Sequence, residues 1–196
     1  MSVLLIAGSP SERSRSVGLL EEAGRRLAQR GALVTRLRIR DLSPQALLLA
    51  DVGNRSISHA LDQVAAARVV VIATPVYKAA YSGVLKVFLD LLPQTGLKGK
   101  TVLPLATGGS PNHMLALDYA LRPVLQSLGA KHVLPGIYAT DAQVQLLPED
   151  GVQVDADVAA RLDEAVNTLI TDSLQPPPKP FGYFVPVPFA QVRCSV

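Results

Sequence analysis

Cysteine, histidine and tryptophan are scarce in this chain: its 196 residues hold one Cys, three His and no Trp. A lone thiol, Cys194, cannot build an intramolecular disulfide framework, and His59, His113 and His132 have no metal-like spacing. Disulfide scaffolds and zinc modules are therefore not expected. Charge of one sign is also lacking. The 19 basic and 16 acidic side chains leave +3, spread along the chain, which gives no basic arm or groove for nucleic acid. Apolar runs stay far below the roughly 20 residues that cross a bilayer, so no membrane insertion is expected. Met1-Ser2-Val3-Leu4-Leu5-Ile6 leads into a strand-like segment without a charged, cleavable leader, and a cytoplasmic location follows as the expectation. Neither Gly-x-Gly-x-x-Gly nor Gly-x-x-x-x-Gly-Lys-[Ser/Thr] occurs, which weakens dinucleotide and nucleoside-triphosphate readings. There is no solenoid-type repeat.

What is present is apolar material for one core, 48% of the chain, arranged as short β-branched runs alternating with stretches of helical period. The class is α/β. Strands are expected at Val3–Ala7, Leu33–Ile39, Arg68–Ala73, Thr101–Ala106 and His132–Tyr138, with apolar continuity suited to burial on both faces. Helices are expected near Ser16–Gln29, Ser56–Ala66, Ser82–Leu92, Asn112–Leu128 and Asp157–Leu174, with Gly31 and Gly129 as left-handed closing residues. Pro123 falls inside the fourth helix, so a kink, a local widening or a break is required there. Residues 1–174 read as one domain and 175–196 as a tail. That tail, from Pro176-Pro177-Pro178-Lys179-Pro180 to Phe189, carries four of the nine aromatics and either docks or is a disordered end.

Ligands of open parallel sheets sit beyond the carboxyl ends of the strands. After the first strand, Gly8-Ser9-Pro10-Ser11-Glu12-Arg13-Ser14-Arg15-Ser16 offers hydroxyls, guanidinium groups and a helix start, the donor set that suits a terminal phosphate. A plain polar surface loop has the same composition. After the third strand, Thr74-Pro75-Val76-Tyr77-Lys78-Ala79-Ala80-Tyr81-Ser82 can supply a flat apolar wall for a planar ring, or simply initiate a helix. After the fourth, Thr107-Gly108-Gly109-Ser110 lets backbone approach a ligand, or makes a tight turn. Together the three loops suggest a flat heterocycle carrying a phosphate.

These residues resemble the flavodoxin-like NAD(P)H-dependent FMN reductases. The likeness is carried by Ala7-Gly8-Ser9-Pro10 with Ser14-Arg15-Ser16, Thr74-Pro75-Val76-Tyr77 with Tyr81-Ser82-Gly83 and Lys86, and Thr107-Gly108-Gly109. Within that family Pro75 to Gly83 and Asp118-Tyr119-Ala120-Leu121-Arg122-Pro123 are similar to the SsuE-type, alkanesulfonate-utilisation group. The resemblance spans about residues 1–174. It implies a five-stranded parallel sheet in the order 2-1-3-4-5 with helices on both faces. It also implies a phosphate held by Ser9, Ser14, Arg15 and Ser16, and a ring bordered by Pro75, Val76 and Tyr77, with Lys78 and Ser82 among the cofactor-binding residues. Thr107, Gly108 and Gly109 would meet the pyrimidine side. Ser11 stands where many relatives carry an arginine, leaving Arg13 and Arg15 as the basic side chains of the turn.

By the same resemblance a one-residue insertion makes a π-helix at a subunit interface, Tyr119 being the tyrosine linked there to flavin exchange. A homo-oligomer, a dimer of dimers, is implied, and Leu115, Leu117 and Leu121 are expected to offer apolar surface to it. The implied reaction is hydride transfer from NADPH or NADH to FMN. FMNH2 then leaves for a partner two-component monooxygenase, the alkanesulfonate enzyme of sulfur metabolism being favoured. Flavin chemistry needs no side-chain acid, nucleophile or metal. The competing classes are a quinone, azo or metal-ion reductase, a flavodoxin-like electron carrier that never meets NADPH, and a regulatory module without flavin.

Overall fold

In the computed structural model, residues 2–148 and 151–174 are described. The tail, and the expectation that it docks, lie outside the described residues. The strands are β1 (Ser2–Ala7), β2 (Leu33–Arg38), β3 (Val69–Tyr77), β4 (Ala80–Tyr81), β5 (Thr101–Gly108), β6 (His132–Val133), β7 (Ile137–Thr140), β8 (Val144–Leu146) and β9 (Val152–Val154). The α-helices are α1 (Arg15–Gln29), α2 (Pro44–Leu48), α3 (Arg55–Ala66), α4 (Gly83–Asp90), α5 (Arg122–Ser127) and α6 (Ala156–Thr168).

The main sheet runs β2-β1-β3-β5-β6, with β7 continuing beside β5 and β4 folding back antiparallel on β3. Counting β6 and β7 as one interrupted strand, its parallel order is the flavodoxin-type 2-1-3-4-5. Side-chain alternation divides the core between the two faces. Leu4, Ile6, Val70 and Ile72 pack with α3, α4 and α5, whereas Val3, Leu5, Val69 and Val71 pack with α1 and α6.

Several boundaries differ from the expectation, each for a local reason. The third strand does not stop at Ala73 but runs to Tyr77, because Lys78 and Ala79 adopt φ of 49° and 65° and turn the chain into β4. Two consecutive positive φ values are what a tight two-residue hairpin demands. The fifth strand is not continuous over His132–Tyr138. Its pairing with β5 ends at Val102 and resumes at Leu105, spanning Pro104, which has no ladder donor, while Pro135 and Gly136 lie in the gap.

The Asn112–Leu128 helix is three pieces: a 3-10 turn at Pro111–His113, a π-helix at Leu117–Leu121, and α5. Pro123 sits in the first turn of α5, immediately after the widened turn. The Asp157–Leu174 helix likewise becomes α6 followed by a π-helix at Leu169–Leu174. The short α2 and the β8–β9 hairpin had no expectation attached. Gly31 and Gly129 close their helices at φ of 83° and 80°.

Candidate functional site

Strand register brings the three loops to one edge. Ala7 pairs with Ala73, Pro75 with Thr107, and Gly108 with Thr140, so the turns after β1, β3, β5 and β7 lie side by side. Gly8 continues the alignment by donating its N–H to Ala73 O at 2.8 Å. A side chain there would be crowded, since a β-carbon would lie 3.0 Å from Leu85 Cβ and 3.1 Å from Ala73 O.

The first turn is built inward. Ser9 and Ser16 are buried, and Ser9 Oγ accepts from Ser11 N at 3.2 Å. Ser14 occupies the N-cap of α1 without bonding its amides; its Oγ meets Ser16 Oγ at 2.9 Å instead. The helix amino end therefore keeps backbone donors for an anion. Arg13 turns away and donates to Leu147 O at 3.0 Å. Arg15 stays at the edge, 43% exposed, with Nη1 3.6 Å from Asp141 Oδ2.

At the end of β3, Pro75 is buried, Val76 is half-buried, and Tyr77 and Lys78 are exposed. Val76 and Tyr77 can thus present a face while Pro75 backs it. Ser82 is different. Its hydroxyl, fully interior, donates to Gly8 O and accepts from Leu85 N at 3.3 Å, and its N–H donates to Thr74 Oγ1 at 2.9 Å. It caps α4 and ties the turn after β1 to the segment after β3. Lys86 is engaged by Asp90 at 2.6 Å, which raises the lysine's pKa.

At the end of β5, Thr107 is buried and its neighbours Gly108 and Gly109 differ in surroundings. A β-carbon at Gly108 would lie 2.5 Å from Tyr138 Oη, whereas at Gly109 only Asp141 Oδ2, 3.9 Å away, comes near. Gly109 therefore borders open space. Tyr138 Oη donates to Ser110 O at 2.5 Å, and Asp141 N donates to Gly108 O at 3.1 Å. Burial pushes the Tyr138 phenol pKa up, and the Asp141 charge adds to that.

Asp141 carried no sequence expectation, and Tyr138 was expected only as the last residue of the fifth strand. The rule that found the other loops, looking past each strand's carboxyl end, would have reached Asp141 had it been applied to the fifth strand. Tyr119 lies apart from these loops' hydrogen bonds, in the π-helix against which β4 packs, and is 78% exposed. Met114 and Leu115 are exposed beside it in sequence. Leu117 and Leu121 are instead buried in the core at 2% and 0%, contrary to the surface role expected of them, because the helix turns both toward the sheet.

The donor set fits a phosphorylated planar heterocycle: buried hydroxyls, an arginine and unbonded helix amides at one end, and exposed glycine backbone with a tyrosine wall at the other. Among the described residues no helix is long and apolar enough to cross a membrane, and no cluster of three metal-ligating side chains occurs.

Comparison with known proteins gives the family. The chain is 45% identical over 175 residues to an FMN reductase (NADPH) of Pseudomonas putida KT2440, covering 89% of this chain and 85% of that one. It is 44% identical to an FMN reductase (NADPH) of Escherichia coli K12, covering 86% and 87% of the two chains. Among solved structures, apo NADH:FMN oxidoreductase (EMOB) superposes with a TM-score of 0.81 at 41% identity, covering 90% of this chain and 91% of that one. With residues 1–145 matching the family model for NADPH-dependent FMN reductase, the chain belongs to that family.

Proposed function

We propose that this protein transfers hydride from NAD(P)H to FMN and hands FMNH2 to a partner monooxygenase, the alkanesulfonate enzyme of sulfur acquisition being the favoured acceptor. Family membership makes it an oxidoreductase whose nucleotides are FMN and NADPH. The observation that carries the reading is the convergence at one sheet edge of a hydroxyl-and-arginine turn, the Val76–Tyr77 face and the open Gly109 backbone.

Bound FMN supplies the hydride chemistry. Ser9, Ser14, Arg15 and Ser16 bind the phosphate, aided by the first amides of α1. Pro75, Val76, Tyr77 and Lys78 border the ring. Backbone donors at Thr107, Gly108 and Gly109 stabilise negative charge that develops on the pyrimidine side, where fixed dipoles act without reorganisation. Ser82 keeps the first and third loops in register.

The same proposal includes a cytoplasmic homo-oligomer, a dimer of dimers. It is supported by the exposed Met114 and Leu115 in the turn before the π-helix and Tyr119 within it, since exposed apolar side chains close together suit a partner. Arg15→Ala tests the phosphate assignment. FMN affinity should fall about tenfold, the scale of one charge-assisted bond, with riboflavin affinity unchanged. Equal loss for both flavins in calorimetric titration would reject it.

A further inference from the structure

We infer that Asp141 is a specificity-tuning residue that competes with the flavin phosphate for Arg15 and so keeps FMN exchangeable. The inference rests on the phosphate reading above and deepens it. Asp141 Oδ2 lies 3.6 Å from Arg15 Nη1, and the two side chains are 48% and 43% exposed, open to an incoming ligand. The same oxygen is 3.9 Å from the position of a β-carbon on Gly109. The carboxylate thus stands between the glycine backbone and the arginine of the phosphate turn.

Its placement is built. Asp141 N donates to Gly108 O at 3.1 Å and Gln143 N donates to Thr140 O at 3.0 Å. Thr140 N and Oγ1 both donate to Gln143 Oε1, at 3.0 and 3.1 Å. Asp155 N closes the turn from the far side by donating to Gln143 O at 2.8 Å. The backbone that carries the carboxylate is therefore fixed beside the arginine.

A phosphate dianion reaching Arg15 must displace or share this carboxylate and then lie near a like charge, both of which oppose binding. Neutral riboflavin meets neither cost. Asp141 therefore lowers affinity for the phosphorylated flavin selectively, acting through Arg15 rather than on the ring.

The test is calorimetric titration of the full chain with FMN and with riboflavin. Asp141→Asn should tighten FMN about threefold to fivefold, the scale of a half-exposed charge pair, and leave riboflavin unchanged. The gain should shrink at high salt and shrink in an Arg15→Ala background, where only the like-charge repulsion is left. Asp141→Glu should restore the wild-type ratio of the two affinities, and Asp141→Ser should reproduce the asparagine result. In steady state KM for FMN should fall more than kcat changes. An unchanged affinity ratio, or weaker FMN binding, in the two neutral variants overturns the inference. Failure of the phosphate reading has a different signature, an Arg15→Ala protein that loses FMN and riboflavin alike.

Discussion

Gly108 shows how far one missing atom shapes the site. With Tyr138 Oη 2.5 Å from where a β-carbon would stand, backbone and phenol share a space that only glycine leaves free. Gly108→Ala should cost about 1–3 kcal/mol, the usual penalty of forcing a methyl into a packed position. Urea unfolding measures it. Adding Tyr138→Phe should recover part of the loss, because the ring carbon Cζ is 3.4 Å from the same point and only the oxygen clashes. A Gly108→Ala protein of wild-type stability would contradict this packing. The glycine pair was visible in the sequence as a place where main chain approaches something. That one glycine faces a tyrosine and the other open space was not, since Tyr138 lies on another strand and only the register of β7 against β5 brings it near.

Among the elements, the π-helix at Leu117–Leu121 is the one the sequence announced most directly, through Pro123. Proline cannot donate to the preceding turn, and a widened turn absorbs the mismatch. Arg122 holds the junction. Its guanidinium donates to Asp118 at 3.0 Å, to Val133 O at 2.8 Å and to Leu134 O at 3.0 Å, so the irregular helix and the interrupted fifth strand share one anchor. Tyr119 itself projects outward. Tyr119→Ala should therefore change stability by no more than about 0.5 kcal/mol, as for most surface substitutions, while shifting the sedimentation profile and the FMN off-rate. Unchanged sedimentation and off-rate would remove the tyrosine from both roles. The β3–β4 hairpin was not legible, because Lys78 and Ala79 are not residues that signal a turn with two left-handed positions.

For the molecule as a whole, the apolar continuity of β1, β3 and β5, buried on both faces, was enough to give the class and the five parallel strands, with β6 and β7 counted as one, while β4, β8 and β9 went unread. Long-range polar ties were not legible. Glu22 and Arg26 of α1, with Asp163 of α6, join the first and last α-helices, Arg26 Nε donating to Asp163 Oδ1 at 3.1 Å. Arg25, chiefly, and Arg26 hold the Glu22 carboxyl below its ordinary 4.5, against the opposing effect of burial. A depressed folded-state pKa means that this stabilisation is fully present above the unfolded value and is lost as pH falls through the lower folded value. Glu22→Gln should thus lower stability by about 0.5–1 kcal/mol at neutral pH. Melting curves for the two proteins should converge in acid below that window; a gap that persists there would contradict the linkage. The staple at Ser82 has a broader consequence. Because it locks the chain segments proposed to serve opposite ends of the nucleotide before any ligand arrives, their ordering entropy is lost during folding rather than at encounter. Turnover of a diffusible flavin can then proceed by rigid-body entry and departure, with no loop to remake in each cycle.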